Sequence, residues 1–348
     1  MSLSVSRIVA LIVGAVGLIA WLILLALGPA AALRGWLIGF LFVSSLSLGS
    51  LAVVLVHRLT AGTWGAAFAP ELEPAARATP ILCLFFLPVL FGLPLIYDWA
   101  AAPGGVDASV HRYYLNPPLF ILRSVIALGG WSAIALLLPR IEGRKGRLGA
   151  GLGLAFHGVM VSVVAVDWVL SILPSFTSSD FGMDLAVQQF ACAFAWAGLQ
   201  GRKRVAESPA GDIAGLLFAA IIGLTYLEFV GYLVVWYGDR PPLDAWYLTR
   251  ARWPWQILSW LCLAAGAAGV ILLAIRRRFG THRAVAMVAA CILVGVLSYQ
   301  IWLFAPTFGA ACLIPAAAGL LAQGGLWVAL IGGLPRFAQR LEALAHAH

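Results

Sequence analysis

Charge is scarce in this sequence. Asp, Glu, Lys and Arg make up 10% of the 348 residues, whereas hydrophobic residues make up 62%. This balance excludes a water-soluble globule with a charged surface. Lipid must be the solvent, and the expected fold class is an all-α integral membrane protein built from apolar helices of about 20 residues.

Motifs for metal or redox chemistry are also lacking. The five cysteines show no CxxC spacing and fall inside predicted spans, so we expect neither metal ligation nor disulfides; they are Cys83, Cys192, Cys262, Cys291 and Cys312. Haem b of the cytochrome b type needs two facing axial histidines, and His157 has no intramembrane partner. We therefore expect no cofactor bound covalently or by metal ligation.

Ten apolar runs are long enough to cross about 30 Å of hydrocarbon. The predicted spans are 8–29, 36–57, 78–97, 117–138, 149–173, 183–201, 212–237, 254–275, 284–304 and 311–333. The chain 1–348 then forms a single polytopic membrane domain. The first run is longer than the apolar core of a typical signal peptide and lacks a convincing cleavage site, so we expect a retained anchor.

Basic residues are distributed unevenly between the two sides of these spans. Sixteen of the 22 Lys and Arg fall on the side of the amino terminus, five on the opposite side, and Arg123 within a span. The first side is therefore predicted to be cytoplasmic, with both termini on it. The net charge of +8 is then a topology signal in a protein surrounded by lipid, and we expect no nucleic-acid partner.

These sets are defined by their positions in the loops. The predicted cytoplasmic set is Arg7, Arg58, Arg77, Arg140, Arg144, Lys145, Arg147, Arg202, Lys203, Arg204, Arg276, Arg277, Arg278, Arg283, Arg336 and Arg340. The predicted outer set is Arg34, Arg112, Arg240, Arg250 and Arg252.

Two outer connections resemble each other. The connection between the third and fourth spans and that between the seventh and eighth are both long, aromatic and proline-ended, at 113–118 and 236–242. This echo suggests two related halves, 36–173 and 183–304. The predicted architecture is two four-helix bundles, formed by spans two to five and six to nine, plus two peripheral helices.

Ionisable side chains within the spans mark candidate sites, because they are costly in lipid and normally face the bundle interior. Arg123 lies six residues into the fourth span from its outer end, and Asp167 lies about as deep in the fifth. The two are predicted to form a buried ion pair. Such a pair either only joins two helices or takes part in chemistry.

Glu228 is nine residues from the outer end of the seventh span, and no second basic residue within a span is left to neutralise it. Thr225 and Tyr232, at i−3 and i+4, predict a polar stripe on its face. A carboxyl that can hold or release a proton suits proton exchange. His157, nearer the middle of its span, is a further candidate for the proton route or quinol pocket. A lone histidine there is more often hydrogen-bonded between helices than catalytic.

Uncharged polar residues follow the same bias toward the outer side. Gln188 and Gln189 open the sixth span, and residues 298–300 close the ninth. Together with the ionisable side chains they predict a polar pocket in the outer leaflet.

Four stretches carry a resemblance to a known family: 47–64, 113–123, 164–174, and 236–242 with 246–248. In this order they are similar to the NrfD-like (polysulfide reductase membrane subunit) superfamily. Within it, the pattern looks like the ActF-type quinol-oxidising membrane subunit of bacterial alternative complex III. The stretches reach over spans two to eight, about two thirds of the chain.

The resemblance implies a ten-helix subunit of the bacterial inner membrane. Its implied partners are iron–sulfur and haem-c subunits, which take electrons from a menaquinol or ubiquinol, and a second NrfD-like subunit. Asp167 would be the carboxylate of a proton route, Arg123 its companion, and Tyr226, Glu228 and Tyr232 candidates along the seventh helix.

Three functions compete. The predicted one is a subunit of a quinol-oxidising complex that borders a quinol pocket near the periplasmic side and conducts protons. Electrons would leave through partner proteins, because this chain contains no redox cofactor motif. The alternatives are a proton-coupled secondary transporter using Asp167 or Glu228, and a structural subunit whose charges only hold helices together.

Overall fold

A computed structural model describes residues 5–102, 106–174, 176–201, 204–239 and 241–333, without the side chain of Pro242. Five basic residues used in the topology argument lie outside the described residues: Arg202, Lys203, Arg240, Arg336 and Arg340. Their part in that argument stays a prediction.

The regular elements of the described residues are all helical. In chain order they are α1 (Val5–Leu27), α2 (Pro29–Thr60), α3 (Thr63–Arg77), α4 (Ile81–Phe91), α5 (Leu93–Ile96), α6 (Asp98–Ala101), α7 (Ala108–Tyr113), α8 (Pro117–Leu137), α9 (Gly143–Val164), α10 (Phe181–Gly201), α11 (Glu207–Gly238), α12 (Pro241–Arg250), α13 (Gln256–Ala274), α14 (Arg276–Phe279), α15 (Thr281–Phe308) and α16 (Leu313–Ile331). Short 3₁₀ or π turns extend α8 and α9 and precede α16.

Nine segments within the described ranges are long and apolar enough to cross a membrane. They correspond to nine of the ten predicted spans. The sixth predicted span, 183–201, forms α10, which has 21 residues but carries Asp184, Gln188 and Gln189 on buried positions. These three side chains make it more polar than the others. The prediction of an all-α membrane protein of about ten helices is confirmed.

The third span differs from its prediction at both ends. The spanning segment runs from Thr63 to Phe91 instead of 78–97. Residues 63–77 contain Pro70, Pro74 and several charges, a composition typical of a loop. In the structure they form α3. Its buried face, which includes Phe68, packs on α2 and α10. This burial outweighs the poor helix propensity of the prolines.

The spans pack as two four-helix bundles with two peripheral helices, as predicted. The first bundle contains α2, the α3–α4 pair, α8 and α9, and the second contains α10, α11, α13 and α15. Helices α1 and α16 pack on each other and on α2. The bundles meet where α10 and α15 contact α2. That the two halves of the chain are related repeats stays a prediction.

Helix α2 is the most enclosed of the nine spans, with 89% of its apolar window buried. Small residues let neighbouring backbones approach it, as is usual between membrane helices. A Cβ atom added to Gly49 would lie 1.8 Å from the carbonyl oxygen of Gln189 on α10. Glycine is therefore required at the point where the two bundles touch.

Basic side chains hold together the helix ends that are predicted to be cytoplasmic. Arg58 Nη1, near the end of α2, donates to the Leu138 carbonyl at 2.8 Å. Arg204 Nη2 donates to Glu71 Oε2 of α3 at 2.6 Å. These contacts place the ends on one side of the bundle; that this side faces the cytoplasm stays a prediction.

Candidate functional site

The predicted ion pair between Arg123 and Asp167 is confirmed. Arg123 Nε donates to Asp167 Oδ2 at 2.6 Å, and Nη2 donates to Oδ1 at 2.9 Å. The Asp167 side chain is fully buried, while that of Arg123 is 17% exposed. This two-point geometry fixes both helices and is the strongest type of ion-pair hydrogen bonding.

Local backbone structure brings the two residues into place. Asp167 sits in a π-helical turn, Ala165–Val169, that continues α9. Such turns widen the helix and occur frequently at functional sites. Arg123 lies on α8, whose start is fixed by the Asn116 side chain accepting from Leu119 N and by Pro117 in the first turn.

Tyr114 extends this cluster, called here the Asp167 cluster, toward the predicted outer surface. Its ring lies 4.0 Å under the Arg123 guanidinium, and its backbone carbonyl accepts from Arg123 Nη2 at 3.0 Å. Its hydroxyl lies near the Asp167 carboxylate. Burial, followed by the charge of Asp167, raises the pKa of Tyr114 to about 12, so the hydroxyl remains a hydrogen-bond donor at neutral pH.

Aromatic packing covers the Asp167 end of the cluster. Trp168, the neighbour of Asp167, is 1% exposed and donates through Nε1 to Ser124 Oγ at 3.0 Å. The Tyr97 hydroxyl donates to the Trp168 carbonyl at 3.1 Å. The surroundings therefore hold Asp167 rigidly and leave it few partners besides Arg123 and Tyr114.

Glu228 has an acidic partner that the sequence analysis missed. Its carboxyl lies beside the carboxyl of Asp184 on α10 and the hydroxyl of Tyr299 on α15. Tyr299 also donates to Asp184 Oδ2 at 3.3 Å. Two bare carboxylates side by side would repel strongly in nonpolar surroundings, so this arrangement favours one proton held by the pair.

A chain of hydrogen bonds leads from this carboxyl pair to α2. Gln188 Nε2 donates to Asp184 Oδ2 at 2.8 Å, and Gln300 Nε2 donates to Gln188 Oε1 at 3.2 Å. Gln300 Nε2 also lies 3.3 Å from Ser45 Oγ. The chain therefore crosses from the second bundle to the first. We call Glu228, Asp184, Tyr299 and this chain the Asp184 cluster.

His157 is separate from both clusters. Its side chain is 3% exposed, and neither ring nitrogen has a hydrogen-bond partner among the described residues. Its ring packs 5.9 Å from that of Trp131. The expectation that His157 is hydrogen-bonded between helices is therefore wrong within the described part of the chain. His157 precedes Asp167 by ten residues, about 15 Å along a helix.

The predicted tyrosines of α11 do not join Glu228. Tyr226 is 62% exposed, and Tyr232 is 48% exposed with its ring 5.4 Å from that of Tyr247. Thr225 donates to the Ile221 carbonyl within its own helix. Thr225 and Tyr232 therefore do not form the predicted polar stripe around Glu228. The polar partners of Glu228 lie on α10 and α15 instead.

A further polar residue missed at the sequence level is Arg250. It was counted as an outer-loop charge, but the residue is 2% exposed. For Asp184, the sequence does contain an indication of a site: it precedes Gln188 by four residues on α10, and this spacing puts both side chains on one helix face. No comparable local signal marks Arg250, because its burial depends on α12 packing against α15.

Comparison of the chain with protein-family models and with curated proteins gives no match. Within the described residues, no group of three or more His, Cys, Asp or Glu side chains is placed to hold a metal ion. The chemistry of the site therefore has to be argued from the two carboxyl clusters themselves.

Proposed function

We propose that this chain is the membrane subunit of a quinol-oxidising respiratory electron-transfer complex similar to alternative complex III. Its own part is to take up and conduct protons. The observation that carries this proposal is the Asp184 cluster, in which the neighbouring carboxyls of Asp184 and Glu228 are connected through hydrogen bonds of Gln188 and Gln300 to the junction of the bundles.

Proton uptake is the chemistry that quinol oxidation requires of such a subunit. Oxidation of a quinol to a quinone releases two protons and two electrons. A carboxylate within hydrogen-bond reach of the quinol hydroxyl can accept a proton. Asp167 is the candidate acceptor, because it is ion-paired with Arg123. A proton would reach it through Tyr114, which lies between the ion pair and the predicted periplasmic surface.

The electrons must leave through other proteins. The resemblance of the four sequence stretches supports iron–sulfur and haem-c subunits as acceptors, together with a second NrfD-like subunit. It also supports a location in the bacterial inner membrane. The loop charges support cytoplasmic termini.

A proton-coupled secondary transporter is the second candidate. The observation that favours it is the position of the Asp184 cluster between the bundles, since transporters place substrate and coupling-ion sites where their repeats meet. In that case the carboxyl pair would bind the coupling proton, and no redox partners would be needed.

Purification of the tagged chain in a gentle detergent separates these proposals. Mass spectrometry and a haem-c absorption spectrum would be recorded on whatever is retained with it. Multihaem cytochrome and iron–sulfur partners are expected from the redox complex. A colourless, solitary protein would contradict the redox proposal and favour the transporter.

The role of Asp167 is tested in the assembled complex by Asp167→Asn. We expect quinol oxidation to fall by about 10²-fold or more, the range for loss of a general base, with subunit composition unchanged. Asp98→Asn is the matched control, since Asp98 is 89% exposed and its Arg34 contact is 3.8 Å. Full activity of Asp167→Asn would show that the ion pair is only structural.

A further inference from the structure

Polar residues at the start of α10 form a row that leads inward from the predicted outer side. Asp180 immediately precedes this helix, and its carbonyl accepts from Asp184 N at 3.0 Å. Asp184 and Gln188 follow at intervals of four residues, which places the three side chains along one side of the helix. Asp184 and Gln188 are buried, whereas Asp180 is half-buried. Asp180 is therefore the outermost and most exposed member of the row.

Gly231 of α11 leaves room beside this row. A Cβ atom added to it would lie 3.6 Å from Asp180 Oδ2 and 3.8 Å from the Tyr247 hydroxyl. These two polar groups therefore meet at the same point on the surface of α11. Gly231 follows Glu228 by three residues, so it lies on the same face of α11, about one turn nearer the predicted outer end.

Tyr247 of α12 lies close to both Asp180 and Glu228. Burial, followed by the charges of Glu228 and Asp180, raises the pKa of the Tyr247 hydroxyl, and the charge of Arg250 opposes this shift. The hydroxyl therefore keeps its proton at neutral pH. A neutral phenol can accept a proton on its oxygen while it donates its own. Tyr247 can thus pass a proton on without remaining charged.

Asp184 has one carboxyl oxygen left to hold a proton. Its Oδ2 accepts from Gln188 Nε2 at 2.8 Å and from the Tyr299 hydroxyl at 3.3 Å. Its Oδ1 is buried and has no hydrogen-bond partner among the described residues. A buried acceptor without a partner is costly. A proton held on Oδ1 beside the Glu228 carboxyl removes that cost.

We propose that Asp180 and Tyr247 form the outer entrance of the proton path to the Asp184–Glu228 pair. A proton taken up from water by the Asp180 carboxylate passes to the Tyr247 hydroxyl, which gives its own proton to the pair. Release toward the outer side runs in reverse, and only O–H bonds form and break. The inference rests on the proposed function, since proton conduction gives the entrance its use.

Asp180 also has a structural part, which the test has to separate from proton transfer. It occupies the capping position of α10, and its Oδ1 accepts from Ser178 Oγ. Asparagine caps helices about as well as aspartate does. Asp180→Asn therefore removes the carboxyl that can bind and release a proton but keeps the helix cap.

The test follows hydrogen–deuterium exchange of the carboxyl pair by infrared spectroscopy, on the full chain in lipid nanodiscs. A protonated carboxyl has a C=O band that shifts in heavy water, and the change of this band in Glu228→Gln assigns it to the pair. Asp180→Asn is expected to slow the exchange by at least about tenfold. Asp239→Asn is the matched control and should exchange like the wild type. It changes an exposed carboxyl after α11, at a φ of +42° that asparagine adopts readily.

A second variant blocks the entrance without changing its two side chains. Gly231→Leu fills the space between Asp180 and Tyr247 and is expected to slow the exchange by a similar factor. Its control is Gly231→Ala, whose Cβ lies at ordinary contact distances and should leave the exchange close to that of the wild type.

The outcomes distinguish the entrance from the proposed function. Exchange at the wild-type rate in Asp180→Asn, or in a folded Gly231→Leu, overturns the entrance and leaves the proposed function standing. A wild type without a protonated-carboxyl band overturns both. Slowed exchange in both variants of a chain that purifies colourless and alone supports the entrance and contradicts the redox complex.

Discussion

Replacing Arg123 by methionine would leave Asp167 fully buried without its cation. Removing one partner of a buried ion pair costs about 3–5 kcal/mol. The lower end applies here, because Arg123 is partly exposed and the Tyr114 hydroxyl still contacts Asp167. A loss of about 3 kcal/mol corresponds to a melting temperature lower by roughly 4 °C in a chain of this size.

The double variant Arg123→Met with Asp167→Leu separates the pair from the cost of leaving one charge behind. An apolar pair of similar volume is often neutral relative to a buried ion pair. We expect the double variant to recover at least half of the stability lost in Arg123→Met. Such recovery is a coupling between the two positions, as a double-mutant cycle measures it.

Thermal unfolding can be followed with a dye that fluoresces on reaction with thiols. Cys192 and Cys312 are free and buried, so they become reactive only when the bundles open. Arg112→Met, at an exposed outer arginine, is the control and should shift the melting temperature by less than about 1 °C. The reasoning is refuted if Arg123→Met melts with the wild type, or if the double variant shows only the sum of the single losses.

Two further predictions concern the junction of the bundles. Glu228→Gln should preserve assembly but lower proton-coupled turnover by about 10²-fold or more, because an amide cannot share a proton with Asp184. Activity assays would compare this variant with Glu207→Gln, which changes a 70% exposed side chain of the same helix. Gly49→Leu should destabilise the protein by about 1–3 kcal/mol or prevent folding, since its Cβ would meet the Gln189 carbonyl; a melting temperature unchanged from the wild type would contradict this.

The Arg123–Asp167 pair could be predicted from the sequence because depth along two spans follows from helix geometry. Opposite charges at equal depth in consecutive helices have few other partners in lipid. Helix geometry also shows from the sequence alone that Tyr226 is not a neighbour of Glu228. It lies two residues from Glu228, about 200° around the helix, and so faces away from it.

The Asp184 cluster and Arg250 required the folded structure. Asp184 is the second residue of the predicted sixth span, where a carboxyl is read as an interfacial residue. Its contact with Glu228 depends on how α10 packs against α11. The sequence around Arg250 is typical of a charged loop, and only the packing of α12 on α15 buries this residue. Long-range packing, not local pattern, determines both.

The enclosure of α2 constrains the biosynthesis of the chain. Helix α2 is made early, but part of its surface is covered by α16, the last described helix: Gln323 Nε2 donates to the Trp36 carbonyl at 3.0 Å, and Trp327 Nε1 lies 3.4 Å from Ser47 Oγ. Until the ribosome has synthesised α16, lipid or the insertion machinery must cover this face. A translation product that stops before α16 would therefore expose the centre of the protein to membrane proteases.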